Sequence, residues 1–452
     1  MTSDGKGLAK IEGWVVFIKG AVPGDVVNAR VFKKKKNLLE ASIVSVEKSS
    51  EGRIEPVCKH FGVCGGCKWQ NLSYQSQIEF KEKHVKDAIE RIGKIAYGEF
   101  RPILGNKVPY FYRNKLEYTF SNKRWLTAEE LGNKDELNTN GIGFHIPGLF
   151  DKVIDIEECH LQNEASNAIR NAIREYAFRN KLTFFDIRGK SGMLRTLMIR
   201  TTSTGELMVV ISMFENKPKE IKDLCKYLIE AFPQITSLQY VHNPKGNDTL
   251  TDLEIHVYHG DSYITEKMED LQFRISTKSF YQTNSLQAYE LYKIVRDFAG
   301  LSKDMVVYDL YTGTGTIANF VASQCNKVIG VEYVEAAIED AKVNSEINNI
   351  GNTLFFAGDM KEVFTPDFVK ANGHPDVVIT DPPRAGMDPE VIKVIMDLQP
   401  KKIVYVSCNP STQGRDLELL KERYNLQVVQ PVDMFPQTSH VENVTLLTLK
   451  GL

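Results

Sequence analysis

Residues 305–318, MVVYDLYTGTGTIA, combine an apolar strand, a glycine-rich loop and the start of a helix. The loop has the spacing G-x-G-x-x-A from Gly313 to Ala318, and its two glycines allow a ligand to approach the backbone closely. Glu332 lies 19 residues after Gly313, at the end of the next predicted strand, where a carboxylate can accept hydrogen bonds from ribose hydroxyls. The loop therefore predicts a cofactor that contains a nucleoside, and it fits NAD and S-adenosylmethionine equally well.

The same strand–helix rhythm extends in both directions from this loop, from about Thr277 to the end of the chain. Predicted strands alternate with helical stretches at 305–310, 327–333, 353–357, 376–380 and 403–407, and two more strands follow at 427–432 and 443–449. This alternation predicts a doubly wound α/β fold of the Rossmann type over residues 277–452, with ligands at the carboxyl ends of the strands.

Three reactive side chains follow or begin these strands. Cys408 ends the apolar strand 403–407, and Asn409-Pro410 predict the cap and first position of a helix that runs through Leu417 to Tyr424. A thiol near a helix N-terminus lies where the helix dipole favours an anion, so we expect the pKa of Cys408 to be lowered. Asp381 ends strand four, and Glu442 stands at the start of the last strand, so two carboxylates and a thiol converge on the cofactor pocket.

This combination of groups decides between the two cofactors. A hydride-transfer enzyme has no use for the thiol. Carbon methylation of a pyrimidine does need one, because carbon 5 of uracil is too weak a nucleophile until a thiolate adds at carbon 6. The constellation therefore favours S-adenosylmethionine and a pyrimidine substrate.

Bulk composition is that of a soluble globular protein large enough for two or three domains. Of the 452 residues, 42% are hydrophobic and 25% are charged, and the net charge of −2 gives no global sign of nucleic-acid binding. No stretch has the roughly 20 apolar residues that span a bilayer, and residues 1–50 contain no signal-peptide core. We expect a cytoplasmic monomer that does not bind membranes.

Three cysteines on one short loop predict a metal centre. Cys58, Cys64 and Cys67 have the spacing C-x5-C-x2-C, with glycines that allow the backbone to wrap around a bound group. Three thiolates on one loop favour a metal ion or a cluster over an intracellular disulfide, which uses two.

The fourth ligand must come from elsewhere in the chain. Cys225 and Cys325 fall in helical stretches and are predicted to pack in the core, whereas Cys159 follows the strand-like residues 152–156 and is the best candidate. A structural zinc site, with His60 or His160 in place of one thiolate, is the alternative.

Residues 1–50 predict a small β-barrel that contacts RNA. They contain nine Lys and Arg against five Asp and Glu, a local net charge of +4. The run Lys33–Lys36 is predicted at a hairpin tip beside Trp14, Phe17 and Phe32, a combination suited to phosphates and bases. A solvated charged turn is the alternative interpretation.

Taken together, these motifs resemble the RNA uracil-5-methyltransferase family, in particular its members that act on 23S rRNA. The resemblance extends over nearly the whole chain and rests on Phe280-Tyr-Gln-Thr-Asn284, Asp309-Leu-Tyr-Thr-Gly-Thr-Gly315, Asp381-Pro-Pro-Arg-Ala-Gly386, Ser407-Cys-Asn-Pro410 and His440-Val-Glu442. One departure is Thr312 and Thr316, where relatives commonly carry Cys and Asn.

The resemblance implies three domains and two cofactors. They are an OB-like TRAM β-barrel that binds RNA (1–50), a central α+β iron–sulfur domain (51–276) and a class I, Rossmann-like methyltransferase domain (277–452). It also implies a [4Fe–4S] cluster on Cys58, Cys64, Cys67 and Cys159, with S-adenosylmethionine as methyl donor.

The resemblance also implies the roles of the site residues. Cys408 is the nucleophile, and Glu442 is the base that removes the carbon-5 proton. Asp381 contacts both the uracil ring and the cofactor, and the other implied cofactor contacts are Gln282, Tyr311, Gly313, Thr316 and Glu332. Phe280 either stacks on the extruded uracil or is a core residue. His440 orients the Glu442 loop rather than transferring protons.

The sequence thus predicts a methyltransferase that forms 5-methyluridine in 23S rRNA. The alternatives are a tRNA T-loop uracil-5-methyltransferase, a non-catalytic RNA-binding or assembly protein, and an NAD-dependent dehydrogenase. Intact Cys408 and Glu442 argue against a binding protein, which needs neither.

Overall fold

The structure is a computed structural model that describes residues 1–2, 5–127, 130–131 and 137–451. The chain forms two compact units. The first contains residues 1–73, 110–266 and 275–278, and the second contains residues 74–109, 267–274 and 279–452. The domain boundaries predicted at residues 50 and 276 do not coincide with the limits of these units. Residue 50 lies inside the first unit, and residues 74–109 of the predicted central domain lie with the C-terminal part of the chain.

The described residues form strands and helices with the following bounds. The strands are β1 Lys6–Ile11, β2 Trp14–Lys19, β3 Val26–Lys35, β4 Leu38–Lys48, β5 Tyr97–Phe100, β6 Lys115–Ser121, β7 Gly141–Ile146, β8 Leu149–Asp155, β9 Leu194–Thr201, β10 Leu207–Met213, β11 Ser237–His242, β12 His256–Gly260, β13 Tyr263–Met268, β14 Leu271–Ser276, β15 Val306–Leu310, β16 Lys327–Glu332, β17 Thr353–Ala357, β18 Val377–Thr380, β19 Lys402–Ser407, β20 Tyr424–Val432 and β21 Glu442–Leu449. The helices are α1 Tyr74–Ala88, α2 Glu164–Arg179, α3 Pro218–Ala231, α4 Ser285–Ala299, α5 Thr316–Ala322, α6 Glu335–Ile347, α7 Met360–Val363, α8 Pro366–Asn372, α9 Pro389–Leu398 and α10 Pro410–Leu420.

The N-terminal residues form a four-stranded sheet in the order β1-β2-β4-β3. Its small core is built from Val16, Ile18, Ala21 and Ala41. The order leaves β1 and β3 at the edges, so the predicted barrel takes the form of an open sheet. The prediction of a hairpin tip for Lys33–Lys36 is wrong in part, because the first three lysines lie within β3 and only Lys36 is in the turn.

The first unit also contains a seven-stranded sheet, in the order β12-β11-β10-β9-β6-β7-β8. Every residue of β10 is buried, as expected for a strand covered on both faces. Helices α2 and α3 pack against β7 and β12 respectively. Cys225 is fully buried on α3, so its prediction as a core residue is confirmed.

The second unit is built on an eight-stranded sheet in the order β17-β16-β15-β18-β19-β21-β20-β5. The strands from β17 to β19 are parallel, whereas β21 is antiparallel to both β19 and β20. The strand order reverses between β15 and β18, which is the topological switch point where ligands bind in such sheets. The predicted α/β architecture is confirmed, and the antiparallel β21 distinguishes it from the 3-2-1-4-5-6 order of dinucleotide-binding folds.

Residues 74–109 complete this second unit. The buried residues Val85, Ile89 and Ile95 belong to the same hydrophobic core as Tyr308 and Tyr405 on the central strands. β5 pairs with β20 in parallel register and lies at the edge of the sheet. The buried face of α1 and the residues directly after it therefore pack against the α/β sheet.

A buried ion pair fixes the loop that leads to the last strand. The Lys81 ammonium lies 2.6 Å from the Asp433 carboxylate, and neither side chain is exposed to solvent. The Tyr74 hydroxyl donates a second hydrogen bond to Asp433, at 2.7 Å. These contacts anchor residues 433–441, which connect β20 to Glu442.

Two smaller predictions need adjustment. Helix α10 ends at Leu420, and Tyr424 already begins β20. Cys325 is buried as predicted, but it follows α5 rather than lying within a helix. Among the described residues, we find no helix with the length and apolar character that crossing a membrane requires.

Candidate active site

The three predicted reactive side chains stand at one edge of the eight-stranded sheet. Asp381 directly follows β18, Cys408 directly follows β19, and Glu442 begins β21. The strands are neighbours, with Thr380 opposite Tyr405 and Ser407 opposite Asn443. Because β21 runs antiparallel to β19, its first residue lies beside the last residue of β19. The structure therefore brings together the thiol and both carboxyl groups.

The turn that carries Cys408 is held by side-chain hydrogen bonds on both sides. The Asn409 side chain accepts from the Ser411 N–H at 3.1 Å and so caps α10, as predicted. The Ser407 hydroxyl accepts from the Asn409 N–H at 3.1 Å. The Gln413 amide donates to the Tyr405 carbonyl at 3.0 Å and accepts from Asn443 at 2.7 Å, which ties α10 to β19 and β21.

The electrostatic surroundings of Cys408 differ from the sequence prediction. Burial, together with the nearby carboxyl groups of Glu442 and Asp381, raises the pKa of the Cys408 thiol to about 11, although Arg384 acts to lower it. The expected lowering by the helix dipole is therefore wrong for the ligand-free protein. Desolvation and two like charges outweigh the dipole, whose effect is confined to the first turn.

The carboxyl groups are shifted in the same direction. Burial raises the pKa of Glu442 to about 8, with a further contribution from Asp381, and its side chain is only 5% exposed. Burial also raises the pKa of Asp381 to about 7, assisted by Asp309. Both groups can therefore exchange a proton close to neutral pH, which is the range that a general base requires.

The glycine loop after β15 adopts the conformation its sequence predicts. Tyr311, Gly313 and Gly315 all have positive φ, at 63°, 56° and 72°. A Cβ atom at Gly315 would lie 2.8 Å from the Cβ of Ala341, so only glycine fits there. The Glu332 carboxylate accepts hydrogen bonds from the N–H groups of Gly313 at 3.1 Å and Val334 at 3.0 Å. The loop and the carboxylate thus form one polar rim at the switch point.

A cavity of about 430 Å³ opens beside this rim. It lies at the carboxyl ends of four strands and is lined among others by Tyr311, Tyr333, Asp359, Met360 and Arg415. Asp359 and Met360 are not among the site residues predicted from the sequence. The signal was present in Gly358-Asp359, because a carboxylate directly after the third parallel strand lies at the ligand-binding edge.

Thr316, Gln282 and Phe280 lie around the glycine loop. Thr316 is the first residue of α5 and is buried, and Gln282 is half-buried. The Thr314 hydroxyl donates to the Phe280 carbonyl at 3.2 Å, which fixes the Phe280 backbone to the loop. The Phe280 side chain is 66% exposed, so its alternative interpretation as a core residue is wrong.

The four cysteines of the predicted metal centre come together in the first unit. Cys58, Cys64 and Cys159 lie close enough to Cys67 to raise the pKa of its thiol, and Cys58 and Cys159 act on Cys64 in the same way. Burial is the larger cause, and it raises the pKa of Cys64 to about 11 and that of Cys67 to about 12. All four are free thiols rather than disulfides.

Hydrogen bonds prearrange these thiols. The Gly66 N–H donates to the Cys64 sulfur at 3.4 Å. Gln70 accepts from the Cys58 N–H at 3.0 Å, and a hydrogen bond from the same side chain lowers the pKa of Cys67. Asn167 accepts from the Cys159 N–H at 2.9 Å. In the part of the chain that the structure describes, no three His, Cys, Asp or Glu side chains are arranged to hold a single metal ion.

Comparison with family models gives two matches. Residues 254–450 match the family described as tRNA (uracil-5-)-methyltransferase, and residues 1–44 match the TRAM domain. The first match contains the glycine loop, Asp381, Cys408 and Glu442.

Curated relatives align along the whole chain. An uncharacterized RNA methyltransferase of Bacteroides thetaiotaomicron is 55% identical over 100% of both chains. Another from Chlorobaculum tepidum is 40% identical over 96% of this chain and 91% of its own.

Among solved structures, one similar protein spans the same length. The Pyrococcus abyssi tRNA (uracil-54, C5)-methyltransferase in complex with S-adenosyl-L-homocysteine has a TM-score of 0.75 and 28% identity, over 98% of each chain.

Proposed function

The chain belongs to the RNA uracil-5-methyltransferase family, and on that premise we propose that it methylates carbon 5 of a uridine in 23S rRNA through a covalent bond between the Cys408 sulfur and carbon 6 of the uracil. It is an S-adenosylmethionine-dependent enzyme with a class I methyltransferase fold and an N-terminal TRAM domain. The observation that carries the mechanism is the convergence of Cys408, Glu442 and Asp381 at one sheet edge.

The residues around the switch point fit the cofactor. Glu332 would accept hydrogen bonds from the ribose hydroxyls, and the Gly313 loop would lie against the ligand. Tyr311 and Asp359 line the cavity of about 430 Å³, which is large enough for a nucleoside. Gln282, Thr316 and Asp381 complete the proposed set, and the bound cofactor supplies an electrophilic methyl group.

The protein side chains perform the remaining steps on the uracil. The Cys408 thiolate forms a bond to carbon 6, and the electrons of the 5,6 double bond make carbon 5 a nucleophile. After carbon 5 has gained the methyl group, Glu442 accepts the carbon-5 proton. The electrons of that C–H bond restore the double bond and expel the Cys408 sulfur. Asp381 lies beside both groups and contacts the ring, and Phe280 stacks on the extruded base.

The mechanism predicts that two substitutions fail at different steps. Cys408→Ala should abolish turnover and form no RNA–protein adduct, because the first bond cannot form. Glu442→Gln should still add and methylate but then stall, because the amide cannot accept the carbon-5 proton. Denaturing gel electrophoresis with labelled RNA measures the trapped species, and the unaltered enzyme with 5-fluorouridine RNA is the positive control. Normal turnover by Glu442→Gln would redirect the search for the base to His440.

A second class of RNA is also a candidate substrate. The similar Pyrococcus abyssi structure is a tRNA (uracil-54, C5)-methyltransferase, which favours tRNA as the alternative substrate. Mapping 5-methyluridine in rRNA and tRNA from cells with and without the gene distinguishes the two. If cells without the gene lost 5-methyluridine from tRNA alone, the proposal of an rRNA substrate would be overturned, but the proposed reaction on uridine would stand.

For the cysteine group, a [4Fe–4S] cluster on Cys58, Cys64, Cys67 and Cys159 is the proposed occupant. Support comes from the hydrogen bonds around these cysteines: the Cys64 sulfur accepts from the Gly66 N–H, and the backbone N–H groups of Cys58 and Cys159 donate to Gln70 and Asn167. We expect anaerobically purified protein to be brown, with about four irons per chain. One zinc per colourless chain would instead identify a structural zinc site.

A further inference from the structure

Arg384 joins the three segments that carry the reactive groups. Its carbonyl accepts a hydrogen bond from the Asn409 side chain at 3.1 Å and another from the Thr412 hydroxyl at 3.1 Å. Both donors belong to the turn and helix that follow Cys408. The backbone of Arg384, three residues after Asp381, is therefore fixed against the nucleophile turn.

The Arg384 side chain reaches the third segment. Its Nη2 atom lies 3.5 Å from Nδ1 of His440, two residues before Glu442. A guanidinium can only donate, so Nδ1 is the accepting atom in this contact. His440 thus serves as a contact for Arg384, in agreement with an orienting role.

The charge of Arg384 opposes the negative charges of the site. The groups that act on Cys408 are the carboxyl groups of Glu442 and Asp381 and the guanidinium of Arg384. Arg384 is the cation among these groups, and its charge also acts to lower the pKa of Glu442. The Arg384 side chain is exposed to solvent, whereas Cys408 is half-buried.

We propose that Arg384 is a positioning residue that stabilises the Cys408 thiolate and holds the His440–Glu442 segment beside it. The consequence for catalysis rests on the proposed function, since it matters only if Cys408 attacks the uracil. The electrostatic effect itself does not depend on any substrate. It can therefore be measured on the full-length protein without RNA or cofactor.

The experiment measures alkylation of Cys408 by iodoacetamide between pH 7 and 9.5, followed by mass spectrometry of the Cys408 peptide. Only the thiolate reacts, so the rate reports its population. We expect Arg384→Gln to slow the reaction about threefold at each pH, which corresponds to a pKa higher by about half a unit. Removal of the side chain also opens access to the sulfur, which would speed the reaction, so a slower rate reports the lost charge.

Two further variants complete the test. Arg384→Lys keeps the charge and should stay within about twofold of the unaltered rate. Arg423→Gln removes an exposed arginine of the same unit and should leave the rate unchanged. A rate for Arg384→Gln equal to that of the unaltered protein would overturn the proposal, even if RNA binding were weaker. Failure of the methylation chemistry would show separately, as the absence of a 5-fluorouridine adduct with the unaltered enzyme.

Discussion

At the scale of single residues, the pKa of Cys408 decides how the enzyme responds to pH. The thiol is flanked by Glu442 and Asp381 and is partly withdrawn from water, which raises its pKa to about 11. The Asn409 cap and the N-terminus of α10 lie beside the sulfur, but their favourable dipole does not compensate. In the free enzyme, the proposed nucleophile is therefore mainly a protonated thiol at neutral pH.

This predicts the pH dependence of kcat/KM, which reports the ionisation of the free enzyme. In the proposed mechanism, Cys408 and Glu442 must both be deprotonated, and the pKa of each is raised, so activity should increase with pH. Between pH 7 and 9 we expect a rise of about tenfold per unit from the thiol alone, with an additional rise up to about pH 8 from Glu442. Single-turnover rates with RNA fragments measure it. A plateau below pH 7 would show that the helix dipole prevails over burial.

At the scale of secondary-structure elements, β3 and the turn that follows it carry the basic run Lys33–Lys36 at the edge of the N-terminal sheet. Lys33 forms an ion pair with Glu40 at 2.9 Å, and the Lys34 ammonium lies 4.6 Å above the Trp14 ring. The Phe32 side chain is largely exposed on the same strand. Charge and aromatic surface therefore occur together on one strand, as a site for phosphates and bases needs.

Replacing Lys33–Lys36 by alanine should weaken RNA binding and flatten its salt dependence. Each lost phosphate contact reduces the slope of log K against log salt by about 0.7 for single-stranded RNA. Lys33 should contribute least, because Glu40 already neutralises it. Filter binding at several salt concentrations measures the slope. As a control, replacing the exposed Lys219, Lys222, Lys226 and Lys370 by alanine should leave the slope unchanged. If the unaltered protein and both variants had equal slopes, Lys33–Lys36 would be a solvated segment that does not contact phosphates.

At the scale of the whole molecule, the sequence predicts local features well and long-range packing poorly. The strands β15, β17 and β19 are contiguous apolar runs, so their positions could be predicted to within one residue. The sheet-edge positions of Asp381, Cys408 and Glu442 followed from the strands alone.

Other features depend on contacts that no local pattern encodes. The sequence of the amphipathic stretch 74–95 does not indicate which sheet its apolar face covers. In the structure, α1 packs in the core of the second unit. The raised pKa of Cys408 arises in part from Glu442, which lies 34 residues further along the chain. Asp359 follows a short, half-exposed strand whose apolar pattern is weak, and the sheet order places this residue on the cavity wall.

The composition of the second unit predicts how fragments behave. A fragment of residues 277–452 lacks β5 and α1, so it exposes the edge of β20 and the apolar residues that α1 covers. Such an edge pairs with other chains. We expect this fragment to aggregate, measured by size-exclusion chromatography, whereas full-length protein should elute as a single species. A monodisperse fragment would show that α1 and β5 are dispensable.

The position of β5 also sets an order of events during synthesis. Its partner β20 lies more than 300 residues later in the sequence, and Asp433 lies similarly far after its ion-pair partner Lys81. At a translation rate of about 5–20 residues per second, residues 74–109 leave the ribosome tens of seconds before their partners exist. During that interval an amphipathic helix and a short strand are without their sheet. Nascent chains of this protein should therefore be clients of ribosome-associated chaperones until the last strands emerge.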